Sequence, residues 1–211
     1  MVELPRIARH PAPRWLLWVA AASALLTIVC ILFVDQPVAR RLAEYEPAAF
    51  WGRGIDALEW AVGLPVFRWL SGVILVLGMI VTVCVPRLRL HAPAWMFLAA
   101  SHVIAQVATR YLKEWTGRLR PLEWMKQGGT DTFLWESGVS FPSGHVTIFA
   151  SVVIPFVALF PRWWPLLGVA AFAMGARVAM SAHFLSDVFG AITLVTVIVW
   201  VCGWAIRPCR P

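Results

Sequence analysis

The chain has 211 residues, of which 60% are hydrophobic and 14% charged, and its formal net charge is +7. A soluble domain carries about 25% charged residues, so the composition points to lipid as the main solvent and away from a water-soluble globule. The basic residues are scattered over short segments, and none forms a run long enough to line a nucleic-acid backbone groove, so no nucleic-acid partner is expected.

A helix needs about 20 mainly apolar residues to cross a hydrocarbon core. In chain order, such stretches run over residues 15–34, 62–85, 94–112, 146–160, 164–180 and 188–206, predicting six transmembrane helices. The first follows basic residues, as a signal peptide does. It is too long for a typical apolar region of that kind and no small-residue cleavage site follows, so it reads as a retained helix. Residues 35–61 mix Arg40, Arg41, Glu44, Glu46, Arg53, Asp56 and Glu59 with Leu42, Phe50, Trp51, Ile55, Leu58 and Trp60. That pattern predicts one or two amphipathic helices on the outer membrane surface. Gly52 and Gly54 form a lone GxG, too weak a signal for a nucleotide loop. The third stretch carries a polar line, Ser101, His102, Gln106, Thr109, Arg110 and Lys113. His102, Gln106, Thr109 and Lys113 share one helical face, as interhelical glue or as a support that orients Lys113. Pro155 interrupts the fourth stretch, and Pro161 and Pro165 bracket a tight turn before the fifth. Ala171 and Gly175 on the fifth have a small-residue spacing suited to packing within one bundle, and oligomeric state stays open. The fold expected is a single all-α domain over 1–211, a polytopic membrane helix bundle with amphipathic interfacial helices.

Charge placement orients this bundle. With a cytoplasmic N-terminus, the cytoplasmic segments hold Arg6, Arg9, Arg14, Arg87, Arg89, Arg162, Arg207 and Arg210, with Glu3 as their one acid. Every other acidic residue falls on the opposite side or in helix ends facing it, which is the positive-inside pattern. Trp15, Trp18, Trp95, Trp163, Trp164, Trp200 and Trp204 mark the cytoplasmic interface. Trp51, Trp60, Trp69, Trp115, Trp124 and Trp135 mark the outer one. Cys30, Cys84, Cys202 and Cys209 lack metal-ligand spacing and suggest no disulfide framework. The topology suits a bacterial inner membrane, with both termini cytoplasmic.

Three polar segments then fall together on the outer, periplasmic face. In the first, Lys113 and Arg120 are seven apart, two helical turns, and Pro121 ends the helix at Arg120. Arg offers a planar fork for phosphate oxygens and Lys a point charge. Arg110, Arg118 and Lys126 read as side chains that snorkel to headgroups. In the second, Pro142-Ser143-Gly144-His145, Ser143 is a candidate N-cap and Gly144 allows close backbone approach. Free N–H groups there suit an anion, and His145 can deliver a proton to a leaving oxygen. In the third, His183 and Asp187 are four apart, so Asp187 can hold one imidazole nitrogen and leave the other nucleophilic. Arg177 would point away from His183 on a continuous helix, so a break is expected near Ser181-Ala182.

This set resembles the type 2 phosphatidic acid phosphatase superfamily, which also includes vanadium-dependent haloperoxidases. Lys113, Arg120-Pro121, Pro142-Ser143-Gly144-His145, Arg177, His183 and Asp187 match the family pattern in order and spacing. Ala176 departs from it, standing where the family has Ser. The resemblance implies that Lys113, Arg120 and Arg177 clamp the phosphate, helped by Ser143 and Gly144. It implies that His183, oriented by Asp187, forms a phosphohistidine and that His145 protonates the leaving alcohol and then activates water. It also implies chemistry without a metal or other cofactor. The expected substrate is a lipid phosphate or pyrophosphate, such as phosphatidic acid, phosphatidylglycerol phosphate, undecaprenyl pyrophosphate or a lipid A phosphate. Residues 122–140, with Trp124, Phe133 and Trp135, suit a lid or selectivity loop. The alternatives are a lipid phosphotransferase using the same site, and a transporter or scaffold with a non-catalytic anion pocket.

Overall fold

The computed structural model describes residues 13–129, 134 and 136–206. Within them the regular structure is helical: α1 (Trp15–Val29), α2 (Asp35–Ala43), α3 (Ala49–Ala61), α4 (Leu70–Cys84), α5 (Ala92–Thr116), α6 (Pro121–Lys126), α7 (Gly144–Leu159), α8 (Leu167–Ala179) and α9 (Leu185–Ala205). Arg6, Arg9, Arg207, Arg210, Cys209, Phe133 and Trp135 lie outside the described residues.

The helices α1 and α2 form one rod of 29 residues, Trp15–Ala43, joined by a π-helical turn over Cys30–Val34. That rod and α9 are each long and apolar enough to cross a membrane, and α4 and α7 are shorter apolar helices. The bundle is built on α7 and α9. The first packs against α5 and α8, the second against α1, and the two against each other, while α4 flanks α5 and α3 lies on α8. Leu16, Phe97, Ala105, Ala150, Ile154, Val195 and Val199 form one core. Ile55, Val146, Phe149, Ala173, Ala176 and Val188 form a second, nearer the polar segments.

Apolar side chains cover the outside of the bundle as well as filling its core. Leu25, Ile28, Leu32 and Phe33 on the first rod, and Ile74, Leu77 and Ile80 on α4, are exposed. Hydroxyls and imidazole lie inside. His102 reaches Ser151 at 2.8 Å and Ser71 at 3.0 Å, and Thr109 bonds Thr147 at 3.1 Å. The polar line of α5 thus ties α4, α5 and α7 together, the glue reading of that face.

Several element boundaries differ from the sequence expectation. Residues 62–69 are turns, and only Leu70–Cys84 of the second stretch is α-helical. The cause is a Schellman end on α3: Gly63, at φ 73°, donates its N–H to Trp60 at 3.1 Å, and Leu64 donates to Glu59 at 2.9 Å. Pro155 does not interrupt α7, which runs through it to Leu159. The expected tight turn at Pro161 is a 3-10 segment, Pro161–Leu166. Trp124 is no interfacial ring, since it is 1% exposed and packs edge-on against Phe184. Gly175 meets Trp51 of α3 inside the chain, while Ala171, the other residue of that small-residue spacing, is exposed.

Candidate active site

All three polar segments meet at one end of the bundle. A cavity of about 700 Å³ is lined there by Lys113, Arg120, Gly144, His145 and His183, together with Glu59, Arg68 and Arg110. Leu64, Pro65, Trp69 and Ile148 give the same cavity an apolar side. Ser143, Arg177 and Asp187 are not in its wall.

Lys113 sits in the last full turn of α5, and its Nζ donates to the carbonyls of Val139 and Ser140. The helix stops at Thr116, where Gly117 turns left-handed at φ 51°. Arg120 therefore lies beyond it in extended backbone, as the N-cap of α6. Lys113 and Arg120 share the cavity because the chain folds back, and the two-turn helical face expected from their spacing is not what joins them. A Cβ at Gly117 would stand 2.1 Å from the Glu136 carbonyl, and one at Gly138 2.2 Å from the Arg118 carbonyl. This close approach lets Gly138 donate to Gly117 at 3.0 Å and Ser140 to Arg118 at 2.8 Å. It brings Ser140 up to the third segment.

Ser143 is the N-cap residue of α7, as its position predicts, but its hydroxyl makes no capping bond. It is fully buried and its Oγ has no partner. The Nε atoms of Arg120 and Arg177 are likewise buried and unpartnered. Buried polar groups are seldom left unpaired. Among the buried side-chain donors left so, which also include Ser101 Oγ and Gln106 Nε2 on α5, these three belong to the expected phosphate-binding set.

The third segment breaks where expected. The helix α8 ends at Ala179, and Ser181 adopts φ 51°. The Arg177 carbonyl then accepts from Ala182 at 3.0 Å and His183 at 3.1 Å, a wrap that turns His183 toward the cavity. His183 Nδ1 lies 3.3 Å from both Asp187 Oδ2 and Ser140 Oγ. Burial lowers the His183 pKa to about 4, against the opposing hydrogen bond and charge of Asp187. The imidazole is therefore neutral near pH 7, the form a nucleophile needs.

Asp187 is held by more than His183. Its Oδ2 accepts from Ser140 at 2.6 Å and the Phe184 N–H at 2.9 Å, and its Oδ1 from Arg118 at 2.7 Å. Arg118 also bonds Asp35 at 2.6 Å and Ser186 at 2.5 Å. Arg118, Asp35 and Asp187 are each at most 1% exposed. Arg118 thus does not snorkel to headgroups; it is a buried fork between two carboxylates. Asp35 comes from the α1–α2 rod, one residue past the π turn. Such turns add a residue to a helix and so rotate its later side chains about the axis.

Sequence reasoning missed Arg118, Asp35, Ser140, Ser186 and Glu59. Glu59 Oε1 stands 2.8 Å from His145 Nε2. The one available signal was the number of acidic residues beside apolar stretches. Ala176, where the resembled family has Ser, is fully buried beside Val146, Phe149 and Ala173.

An all-helical bundle that gathers cations and two histidines around one cavity defines a class of anion-handling helical proteins. Within that class, the chain belongs to the PAP2 superfamily, whose family model matches residues 94–210. That superfamily is in general one of phosphatases acting on phosphate esters. No curated protein and no solved structure matches the chain.

Proposed function

We propose that the protein is an integral-membrane phosphatase that hydrolyses a lipid phosphate or pyrophosphate at the periplasmic face of a bacterial inner membrane. The observation that carries this reading is the trio of buried, unpartnered donors, Arg120 Nε, Arg177 Nε and Ser143 Oγ, beside a neutral His183. The apolar wall of Leu64, Pro65, Trp69 and Ile148 supports an acyl or prenyl tail as part of the ligand. The exposed apolar faces of α1 and α4 support the six-span reading.

Lys113, Arg120 and Arg177 draw charge from the phosphate oxygens, with Ser143 and the Gly144 N–H on the same group. His183, held at Nδ1 by Asp187, attacks phosphorus through Nε2. The P–O ester bond breaks, its electron pair goes to the leaving oxygen, and His145 protonates that oxygen. Water then attacks phosphorus and gives its proton back to His145. The P–N bond breaks, and its electron pair returns to His183.

The test is phosphate release by purified protein from phosphatidic acid and from a prenyl diphosphate, with His183→Ala as control. Wild type is expected to release phosphate, and the variant to lose about 10³-fold or more. An unchanged His183→Ala rate removes the phosphohistidine mechanism. Transfer of labelled phosphate to an added alcohol, in place of release, would mark a phosphotransferase.

A further inference from the structure

We propose that Glu59 is the carboxylate partner of His145, a positioning residue that enables this histidine to hold the proton it gives to the leaving oxygen. The proposal rests on the reading of His145 as the general acid.

Contact is the first ground. Glu59 Oε1 lies 2.8 Å from His145 Nε2, and both side chains are partly open to the cavity, 22% and 30% exposed. The acidic side chains in the cavity wall are Glu59 and Glu114, and Glu114 is engaged by Arg110 at 3.2 Å. Glu59 is left for His145.

Electrostatics is the second ground. Arg177 from α8, Lys113 from α5, Arg120 and His183 all face His145, and Arg177 and Asp56 face Glu59. Burial, and after it these positive charges, lowers the His145 pKa to about 3. A general acid in that setting needs a compensating carboxylate. Burial raises the pKa of the Glu59 carboxyl, and the Arg177 charge opposes that shift.

Placement is the third ground. Glu59 lies in the last turn of α3, where the helix dipole disfavours a negative charge. The Schellman end at Gly63 and Leu64 fixes that turn. Buried Ile55, packed with Val146 and Ala176, and Trp51, stacked on Phe172, fix the helix on α8. A carboxylate at the unfavourable end of a docked helix, in contact with a site histidine, fits a functional placement. The two histidines then each have an acid. Asp187 is wholly buried and permanent, whereas Glu59 is exposed to the cavity and free to yield as the leaving oxygen arrives.

Glu59 exchanges no atoms in this scheme. Its charge balances the proton on His145 before the ester bond breaks and again after water has surrendered its own.

The experiment is the pH profile of kcat/KM for dioctanoyl phosphatidic acid in detergent, for wild type, Glu59→Gln, Glu59→Asp and His183→Ala. Glu59→Gln is expected to lose about 10²-fold, the low end of a general-acid contribution. Its alkaline limb should move about one unit to lower pH, because an opposite charge has been removed from His145. Glu59→Asp should recover part of both. A Glu59→Gln variant within about 3-fold of wild type and with an unmoved limb overturns the proposal. So does an equal loss in Gln and Asp with both limbs in place, since that marks a merely structural role. If wild type and His183→Ala are equally inactive on every phosphate ester, the phosphatase reading itself fails. If only His183→Ala is inactive and Glu59→Gln is normal, the fault lies with Glu59 alone.

Discussion

Arg118 illustrates what one residue contributes at this site. Its two Nη atoms bridge Asp35 and Asp187, both fully buried in the ion pairs. Breaking a buried pair from one side leaves an uncompensated charge, at a cost of about 3–5 kcal/mol. Arg118→Met strands both carboxylates, so it is expected to lower the unfolding midpoint sharply and abolish turnover. Arg118→Lys keeps the charge but loses the fork, and should fall between Met and wild type. Thermal unfolding in detergent, read beside phosphate release, checks the order. The sequence revealed the motif residues through their type and spacing, but not this one. Arg118 is 69 residues from Asp187 and 83 from Asp35. At that separation, a juxtamembrane arginine and a buried one look alike.

At the scale of elements, the ends of helices place the chemistry. The C-terminus of α5 sets Lys113, the N-terminus of α7 sets Ser143 and His145, and the break after α8 sets His183. The start of α7 was legible from its Pro-Ser-Gly, and the break after α8 from the directions Arg177 and His183 would take on one helix, whereas the end of α5 was expected at Arg120 and falls at Thr116. The end of α3 was not legible, because Gly63 lies at the start of what reads as a continuous apolar stretch. Gly63 at φ 73° is a position that a Cβ penalises by about 1–2 kcal/mol. A Cβ there would also stand 2.2 Å from Leu70 Cδ2. Gly63→Ala is therefore expected to fray the turn carrying Glu59. Its loss of kcat/KM should exceed what its lowered melting temperature accounts for, as measured by assay at a temperature where the variant is still folded. Pro155 gave the opposite lesson. A proline looked like an interruption, yet α7 continues through it to Leu159.

For the molecule as a whole, protonation couples the site to stability. The unfolded chain takes up a proton on His183 as pH falls below its ordinary 6.5, whereas the folded chain resists until about 4. The contribution of a neutral His183 is thus complete above the upper value and is lost as pH falls through the lower one. Melting temperature in detergent should decline across that window. The decline should be smaller in His183→Gln, which has no such proton to take up. A parallel decline in both would assign the effect to other groups. The overall plan, helices with apolar outer faces, was readable from composition together with the lengths of the apolar stretches. The arrangement of charge inside it depends on which helices become neighbours, and that is decided by packing.

The family-matched part of the chain ends its N-terminal reach at residue 94. Both carboxylates that address it from outside, Asp35 and Glu59, come from earlier. A chimera joining residues 94–210 to the leading helices of another superfamily member would retain every signature motif. It would keep Asp187 but still lack Asp35, the other counter-charge of Arg118, and Glu59, the carboxylate beside His145. Interchangeability among members should therefore follow whether those two acids are matched in the donor's first helices, and not how closely the motifs agree.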